Sequence, residues 1–198
     1  LDALVVDSSG ALNVLWMIGL GAWSGPVRLT GTGFAPPGAP VALANQASSN
    51  QLDALVVDNS GALNVLWVIG LGAWNGPARL TSAGYAPPGA PIALANQGST
   101  QLDALLVDNS GALNVLWTIG LGAWNGPVRL TSTGFAPSGT AVALAHQGST
   151  QLDALFVDNS GAVDVLWAIG LGAWNGPARL TNAGFAPAGA PVALGYQG

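Results

Sequence analysis

The side chains best suited to ligand chemistry are four tryptophans, each at the end of a glycine-rich stretch such as 70–74. A serine or an asparagine follows each of them. An indole ring can stack on the C–H face of a sugar, and a neighbouring amide can bond to sugar hydroxyls. The same ring could instead anchor one repeated unit on the next. The candidate sugar-binding residues are Trp23, Trp74, Trp124 and Trp174, together with Asn75, Asn125 and Asn175.

A second row of polar residues lies in the middle of an otherwise apolar segment. This row is Asn13, Asn64, Asn114 and, in the last unit, Asp164. Such residues could line a central channel or a sugar site, and we include Asn64 and Asn114 among the candidates. The alternative is a hydrogen bond to a neighbouring strand. The tryptophans three residues further on share a face with apolar neighbours, which predicts a place in the core for Trp16, Trp67, Trp117 and Trp167.

Two aspartates and one arginine recur in every unit. The aspartate before each Ser-Gly turn can accept hydrogen bonds from the backbone amides of that turn. The other aspartate lies inside an apolar strand, where a buried carboxylate needs a partner. We therefore expect an Asp–Arg pair for one of the two rows. The turn row is Asp7, Asp58, Asp108 and Asp158, the strand row is Asp2, Asp53, Asp103 and Asp153, and the arginines are Arg28, Arg79, Arg129 and Arg179.

The composition argues against several classes of function. Only 7% of the residues are charged and the net charge is −5, so no basic surface for nucleic acid is expected. The sequence has no cysteine, which excludes disulfides and thiolate chemistry. Its single histidine, His146, is replaced by asparagine or tyrosine in the other units, as suits an exposed strand end. We therefore predict a protein that is not an enzyme and that uses no metal and no cofactor.

No membrane segment is predicted. The longest apolar run, residues 65–74, is interrupted by glycines, and a spanning helix needs about 20 apolar residues. No basic and apolar leader pattern opens the sequence as given.

The sequence is a fourfold repeat, which predicts a single domain over residues 1–198. One unit holds four β-rich segments separated by Gly, Asn and Pro turns. These segments are 51–58, 62–69, 78–81 and 92–97, with 70–77 expected as a loop or bulged turn. Four short strands in each unit predict an all-β fold, a β-propeller of four four-stranded blades. The repeats run over 1–51, 52–101, 102–151 and 152–198.

The repeats are offset from the predicted blades. The sequence opens on a Leu-Asp strand, and the strand that precedes this one in later units is found at 191–197. A ring whose terminal strand completes the first blade would leave no open sheet edge. Four blades could close within one chain, or two chains could form an eight-bladed ring. We favour the homodimeric, eight-bladed alternative.

One stretch resembles a known family. Residues 91–117 run Pro-Ile-Ala-Leu-Ala-Asn-Gln-Gly-Ser-Thr-Gln-Leu-Asp-Ala-Leu-Leu-Val-Asp-Asn-Ser-Gly-Ala-Leu-Asn-Val-Leu-Trp. This resembles a blade of the bacterial propeller lectins of the Photorhabdus lectin type, and all four units follow the same order. The resemblance implies a multivalent carbohydrate-binding propeller for fucose-like or methylated sugars, with one weak site per blade or blade interface. The alternative is a structural or engineered repeat scaffold without a ligand.

Overall fold

The computed structural model describes residues 1–46 and 49–197. Within these residues the regular structure consists of β-strands, and no helix is long and apolar enough to cross a membrane. The strands are β1 (Asp2–Val6), β2 (Leu12–Trp16), β3 (Ser24–Arg28), β4 (Ala42–Asn45), β5 (Gln51–Val57), β6 (Leu63–Ile69), β7 (Asn75–Arg79), β8 (Ala93–Gln97), β9 (Gln101–Val107), β10 (Leu113–Ile119), β11 (Asn125–Arg129), β12 (Ala143–Gln147), β13 (Gln151–Val157), β14 (Val163–Ile169) and β15 (Asn175–Arg179).

The strands form four antiparallel sheets, which are the blades. Blade 1 contains β1–β3, blade 2 contains β4–β7, blade 3 contains β8–β11 and blade 4 contains β12–β15. Strand β8 contacts both β4 and β12, so the first strands of blades 2, 3 and 4 lie innermost. The last strand of each blade is outermost and largely exposed. The all-β propeller architecture with four blades is therefore confirmed.

Each interior strand is apolar on both faces because it lies between two neighbouring blades. In β5, Leu55 and Val57 pack toward blade 3, whereas Ala54 and Val56 pack toward blade 1. All four side chains are fully buried. The two-residue period of a strand assigns alternate residues to the two interfaces.

The turn aspartates hold each hairpin together. Asp58 Oδ1 accepts hydrogen bonds from the backbone N–H groups of Ser60 (2.8 Å) and Ala62 (3.0 Å). Its Oδ2 accepts from Asn64 Nδ2 (2.9 Å) and from Arg79 Nη2 (3.3 Å). Burial raises the pKa of Asp58, but the hydrogen bonds from Ser60, Ala62 and Asn64 outweigh it and hold that pKa below its ordinary value.

This one row satisfies both expectations for the aspartates. The predicted turn role and the predicted Asp–Arg pair are confirmed for the same carboxylates. The arginines are about half exposed, so each ion pair contributes little on its own. The Nη2–Oδ2 distances are 3.9 Å for Arg28–Asp7, 3.3 Å for Arg79–Asp58, 3.9 Å for Arg129–Asp108 and 2.6 Å for Arg179–Asp158.

The third strand of the unit begins earlier than predicted. The expected loop at 70–77 ends at Trp74, and β7 starts at Asn75 instead of residue 78. Trp67 lies opposite Asn75 and Val65 opposite Ala78, so an irregular register accommodates the extra residue. Pro77 is tolerated there because β7 is the edge strand of its sheet.

Among the described residues, blade 1 contains three strands and the other blades contain four. In blade 3, for example, β8 pairs with β9, with Ala93 opposite Leu105. Strand β1 pairs with β2 alone among the described residues, and residues 191–197 belong to no strand. The predicted completion of the first blade by residues 191–197 is therefore not found among the described residues.

Candidate functional site

A groove lies between the second strand of one blade and the glycine-rich loop of the next. Between blades 1 and 2 its volume is about 440 Å³, and between blades 3 and 4 about 580 Å³. Each groove is lined by a strand tryptophan of one blade, Trp16 or Trp117, and by a loop tryptophan of the next blade, Trp74 or Trp174. These volumes lie in the range of small-molecule sites, about 300–1,000 Å³.

The loop tryptophans contribute to both the grooves and the blade interfaces. Trp74, Trp124 and Trp174 each pack against the apolar cluster that joins their own blade to the preceding one. Trp74 and Trp174 also line the two grooves. Trp23 in blade 1 is 49% exposed. A platform role and an anchor role are therefore compatible in one side chain.

The asparagines that follow the loop tryptophans stabilise their own loop. Asn75 Nδ2 donates to the carbonyl oxygens of Ala73 (3.1 Å) and Trp67 (3.4 Å). Asn125 and Asn175, the other two asparagines of this row, are exposed. Neither lines the groove between blades 1 and 2 or the groove between blades 3 and 4. Asn125 and Asn175 make the equivalent bonds.

Asn64 and Asn114 belong to the turn network instead of a groove. Both are buried, and their Nδ2 atoms donate to Asp58 Oδ2 and Asp108 Oδ2, each at 2.9 Å. Because their side-chain amides are engaged inside the hairpin, we do not include them in the site proposed below.

The groove between blades 3 and 4 has a buried acid at its base. Asp103 is fully buried, and its carboxylate accepts hydrogen bonds from Gln101 Nε2 (2.7 Å) and from Trp174 Nε1 (3.2 Å). Burial raises the pKa of Asp103 to about 6. Gln101 Nε2 also donates to Gln97 Oε1, and Gln97 Nε2 donates to the carbonyl oxygen of Gly172 at 2.9 Å. This network fixes the glycine-rich loop of blade 4 over blade 3.

Blade 2 repeats most of this arrangement. Gln51 Nε2 donates to Asp53 Oδ1 at 2.8 Å, and burial raises the pKa of Asp53. Asp53 Oδ2 is buried and has no partner among the described residues. Gln46 Nε2 donates to Thr118 Oγ1 and to the carbonyl oxygen of Gly120 on the next blade.

The strand tryptophans are less buried than predicted. Trp67 and Trp117 pack against the core clusters as predicted. All four strand tryptophans are nevertheless only partly buried, and those of blades 1, 3 and 4 also line grooves. Asp53 and Trp67 lie directly opposite each other on neighbouring strands, and the other blades repeat this pairing. This pairing could be predicted from the sequence, because Asp53 and Trp67 are equally far from the turn between their two strands.

No protein-family model and no curated protein sequence matches this chain. Solved structures do match it. The BP39L lectin from Burkholderia pseudomallei is 46% identical, with a TM-score of 0.92 over 97% of this chain and 55% of that chain. A lectin from the fungus Aleuria aurantia, described as a six-bladed β-propeller, is 17% identical, with a TM-score of 0.60 over 94% of this chain and 55% of that chain.

A further Aleuria aurantia lectin structure, in complex with Fucα1-6GlcNAc, is 16% identical, with a TM-score of 0.62 over 94% of this chain and 56% of that chain. These neighbours are β-propeller lectins, and the chain has the fold of that class. It spans just over half the length of each of these neighbours.

Proposed function

We propose that this protein is a non-enzymatic lectin that binds carbohydrate in the grooves between neighbouring blades. The observation that carries the proposal is a groove lined by one indole ring from each of two neighbouring blades, found twice along a lectin fold. The 46% identity to the BP39L lectin over 97% of this chain supports it.

The groove chemistry favours a sugar that carries methyl groups. Between blades 1 and 2 the lining includes the aliphatic side chains of Val14, Ile18 and Leu71 beside the two tryptophans. Fucose carries a C-methyl group and O-methylated sugars carry methoxy groups, and both can place these groups on an apolar wall while their hydroxyls face polar atoms. The resemblance to the Photorhabdus lectin type supports the same ligand class.

Polar side chains at the groove edge would orient the hydroxyls. Gln101 and Arg129 line the groove between blades 3 and 4. Asp103 lies beneath Trp174 and holds its indole N–H, so it acts as a positioning residue for the aromatic wall. Repetition along the blades makes the protein multivalent, and several weak sites on one glycan-bearing surface bind with avidity.

A glycan array followed by isothermal titration calorimetry tests the proposal. We expect binding to fucosylated or O-methylated glycans. Leu171 lines the groove between blades 3 and 4 and is 56% exposed, so Leu171→Arg should fill that groove without unfolding the chain. It should remove one site per chain and leave the affinity of the others unchanged. Ser132→Arg, at an exposed loop residue outside that groove, is the matched control. Absence of binding to any glycan would contradict the proposal.

A repeat scaffold without a ligand is the second candidate. The packing of Trp74, Trp124 and Trp174 in the blade interfaces favours it, because these side chains would be retained for stability alone. The scaffold alternative predicts that Trp174→Ala unfolds the protein and that the intact protein binds no glycan. Under the lectin proposal, Leu171→Arg should instead remove binding in its groove and leave the protein folded.

We also propose that the functional unit is a ring completed by a second chain.

A further inference from the structure

We infer that a protonation switch controls the groove between blades 3 and 4. While Asp103 is ionised it holds the indole of Trp174 in place, and when it takes up a proton it releases the glycine-rich loop of blade 4, residues 170–174. The switch is a property of the protein alone. Its consequence for sugar affinity rests on the proposed function.

Both carboxylate oxygens of Asp103 accept a hydrogen bond from an N–H group. Oδ1 accepts from Gln101 Nε2 at 2.7 Å, and Oδ2 accepts from Trp174 Nε1 at 3.2 Å. Hydrogen bonds to an ionised oxygen are roughly twice as strong as those to a neutral one. Protonation of the carboxylate therefore weakens both bonds, and the longer bond, from Trp174, is the first to be lost.

The loop has one other polar bond to blade 3 among the described residues. Gln97 Nε2 donates to the carbonyl oxygen of Gly172 at 2.9 Å. Gln97 is oriented for this bond through its Oε1, which accepts at 2.7 Å from Gln101 Nε2, the same atom that donates to Asp103. The loop therefore depends on the acid directly through Trp174 and indirectly through the two glutamines.

The titration of Asp103 falls in mild acid. Asp103 is fully buried, and burial raises its pKa from 3.8 to about 6, against the hydrogen bonds from Gln101 and Trp174. Because the folded pKa is raised, the stability that this group contributes is fully present below pH 3.8 and is lost as the pH rises to about 6. Release of the loop in acid is therefore a local change and not the start of unfolding.

Few charged groups of its own blade face Asp103. Strands β8 and β10, which pair with β9 on either side, contain no charged residue, and neither does the loop 170–174. Among the described residues that line the groove, Arg129 is the only other charged one. Its guanidinium lies 3.9 Å from Asp108 Oδ2, at the hairpin end of the blade. Ala104, next to Asp103, packs toward blade 2, so Asp103 itself faces blade 4.

The titratable groups of blade 4 lie elsewhere. Asp164 is on the side of blade 4 that faces blade 3, as Leu166 is, but it pairs with Arg179 at the hairpin end, beside Asp158. Asp153 and His146 line a different groove, beside Trp167. The pKa of Asp103 is shifted by burial and by its two hydrogen bonds, and not by any of these charges.

Blade 2 carries the same acid without the bond to a tryptophan. Gln51 Nε2 donates to Asp53 Oδ1 at 2.8 Å, as Gln101 does to Asp103. Asp53 Oδ2 has no partner among the described residues, whereas Asp103 Oδ2 holds Trp174. Protonation of Asp53 therefore releases no indole, which makes Asp53 a matched internal control.

The indole N–H resonances of the intact, ¹⁵N-labelled protein test the inference without a ligand. The one resonance that disappears in Trp174→Phe identifies the indole of Trp174. This resonance should move between pH 8 and pH 5 with a midpoint near pH 6, and its order parameter should fall in acid. Circular dichroism should not change over the same range.

Two variants separate Asp103 from other titrating groups. Asp103→Asn has a single side-chain oxygen, so one of the two N–H groups loses its acceptor at every pH. The Trp174 resonance of this variant should lie near its acid position and should not titrate, whereas Asp53→Asn should leave the titration unchanged. If Asp103→Asn does not fold, the wild-type titration beside Asp53→Asn decides. An indole of Trp174 that does not move between pH 8 and pH 5, or that titrates equally in Asp103→Asn, would overturn the inference.

The same resonance reports on the binding of methyl α-L-fucoside. The affinity of this groove should fall by about fivefold from pH 8 to pH 5, the difference between a charge-assisted and a neutral hydrogen bond. Equal affinity at both pH values, in a protein whose Trp174 indole titrates, would overturn control of the groove by Asp103. A titrating indole in a protein that binds no glycan would support the switch and contradict the lectin proposal alone. Glycan binding with an indole that does not titrate would contradict this inference alone.

Discussion

Replacing Asp164 by asparagine should stabilise the protein at neutral pH. In the second and third units the corresponding asparagine donates its amide to the turn aspartate and to a carbonyl oxygen, as Asn64 does to Asp58 and Ala62. In the fourth unit Asp164 stands at this place beside Asp158, so two carboxylates face each other. Asp164 Oδ2 is buried and has no partner among the described residues.

The pKa of Asp164 sets the size and the sign of the effect. Burial, together with the charge of Asp158, raises this pKa from an ordinary 3.8 to about 6. One pKa step corresponds to about 1.4 kcal/mol, so the cost of ionising Asp164 in the folded protein is at most about 3 kcal/mol. The guanidinium of the nearby Arg179 is half exposed, so solvent screening reduces this cost of ionising Asp164 to about 1–2 kcal/mol. Because the folded pKa is raised, the stability is fully present below pH 3.8 and is lost as the pH rises to about 6.

Urea unfolding at pH 4 and pH 8 measures this directly. The free energy of unfolding of Asp164→Asn should exceed that of the wild type by about 1–2 kcal/mol at pH 8 and differ little at pH 4, where the protonated carboxyl can donate as the amide does. Asn114→Asp, the reverse change in blade 3, should destabilise the protein at pH 8. Equal stability of Asp164→Asn and wild type at pH 8 would refute the reasoning.

Two further changes test the hairpin and the blade edge. Gly61→Ala should destabilise the protein by more than about 2 kcal/mol, because φ is +75° and a Cβ would lie 2.4 Å from the carbonyl oxygen of Ala86. Gly84→Ala has the same φ region but open space around the Cβ, so it should cost only about 1 kcal/mol; similar losses for both would contradict the steric account. Thr81→Val should cost about 1–3 kcal/mol in urea unfolding, because Thr81 Oγ1 accepts the buried Leu63 N–H at 2.9 Å. An unchanged midpoint would show that another acceptor takes this N–H.

Much of the fold follows from local patterns in the sequence. The repeat and the alternation of apolar residues predict four blades, because residues such as Leu55 and Ala54 must both be buried on opposite faces. The Asp58 turn is equally local, since all of its backbone donors lie within four residues. The early start of β7 is not local, because it depends on how the edge strand bulges against β6.

The candidate site was only partly accessible from the sequence. The loop tryptophans are singled out by their glycine-rich setting, but their partner wall is the second strand of the preceding blade. Trp117 and Trp174 are brought to one groove by the stacking of blades, which no local pattern encodes. Asn64 has the polarity of a binding residue, yet Asp58 engages its amide across the same hairpin.

A crystal structure of the protein soaked with methyl α-L-fucoside tests the central claim most directly. The account predicts sugar density in the interior grooves, between the indoles of Trp16 and Trp74 and between those of Trp117 and Trp174. Two results would contradict this account. One is empty grooves with sugar bound elsewhere on the blades, and the other is no bound sugar at a concentration that saturates the protein in calorimetry.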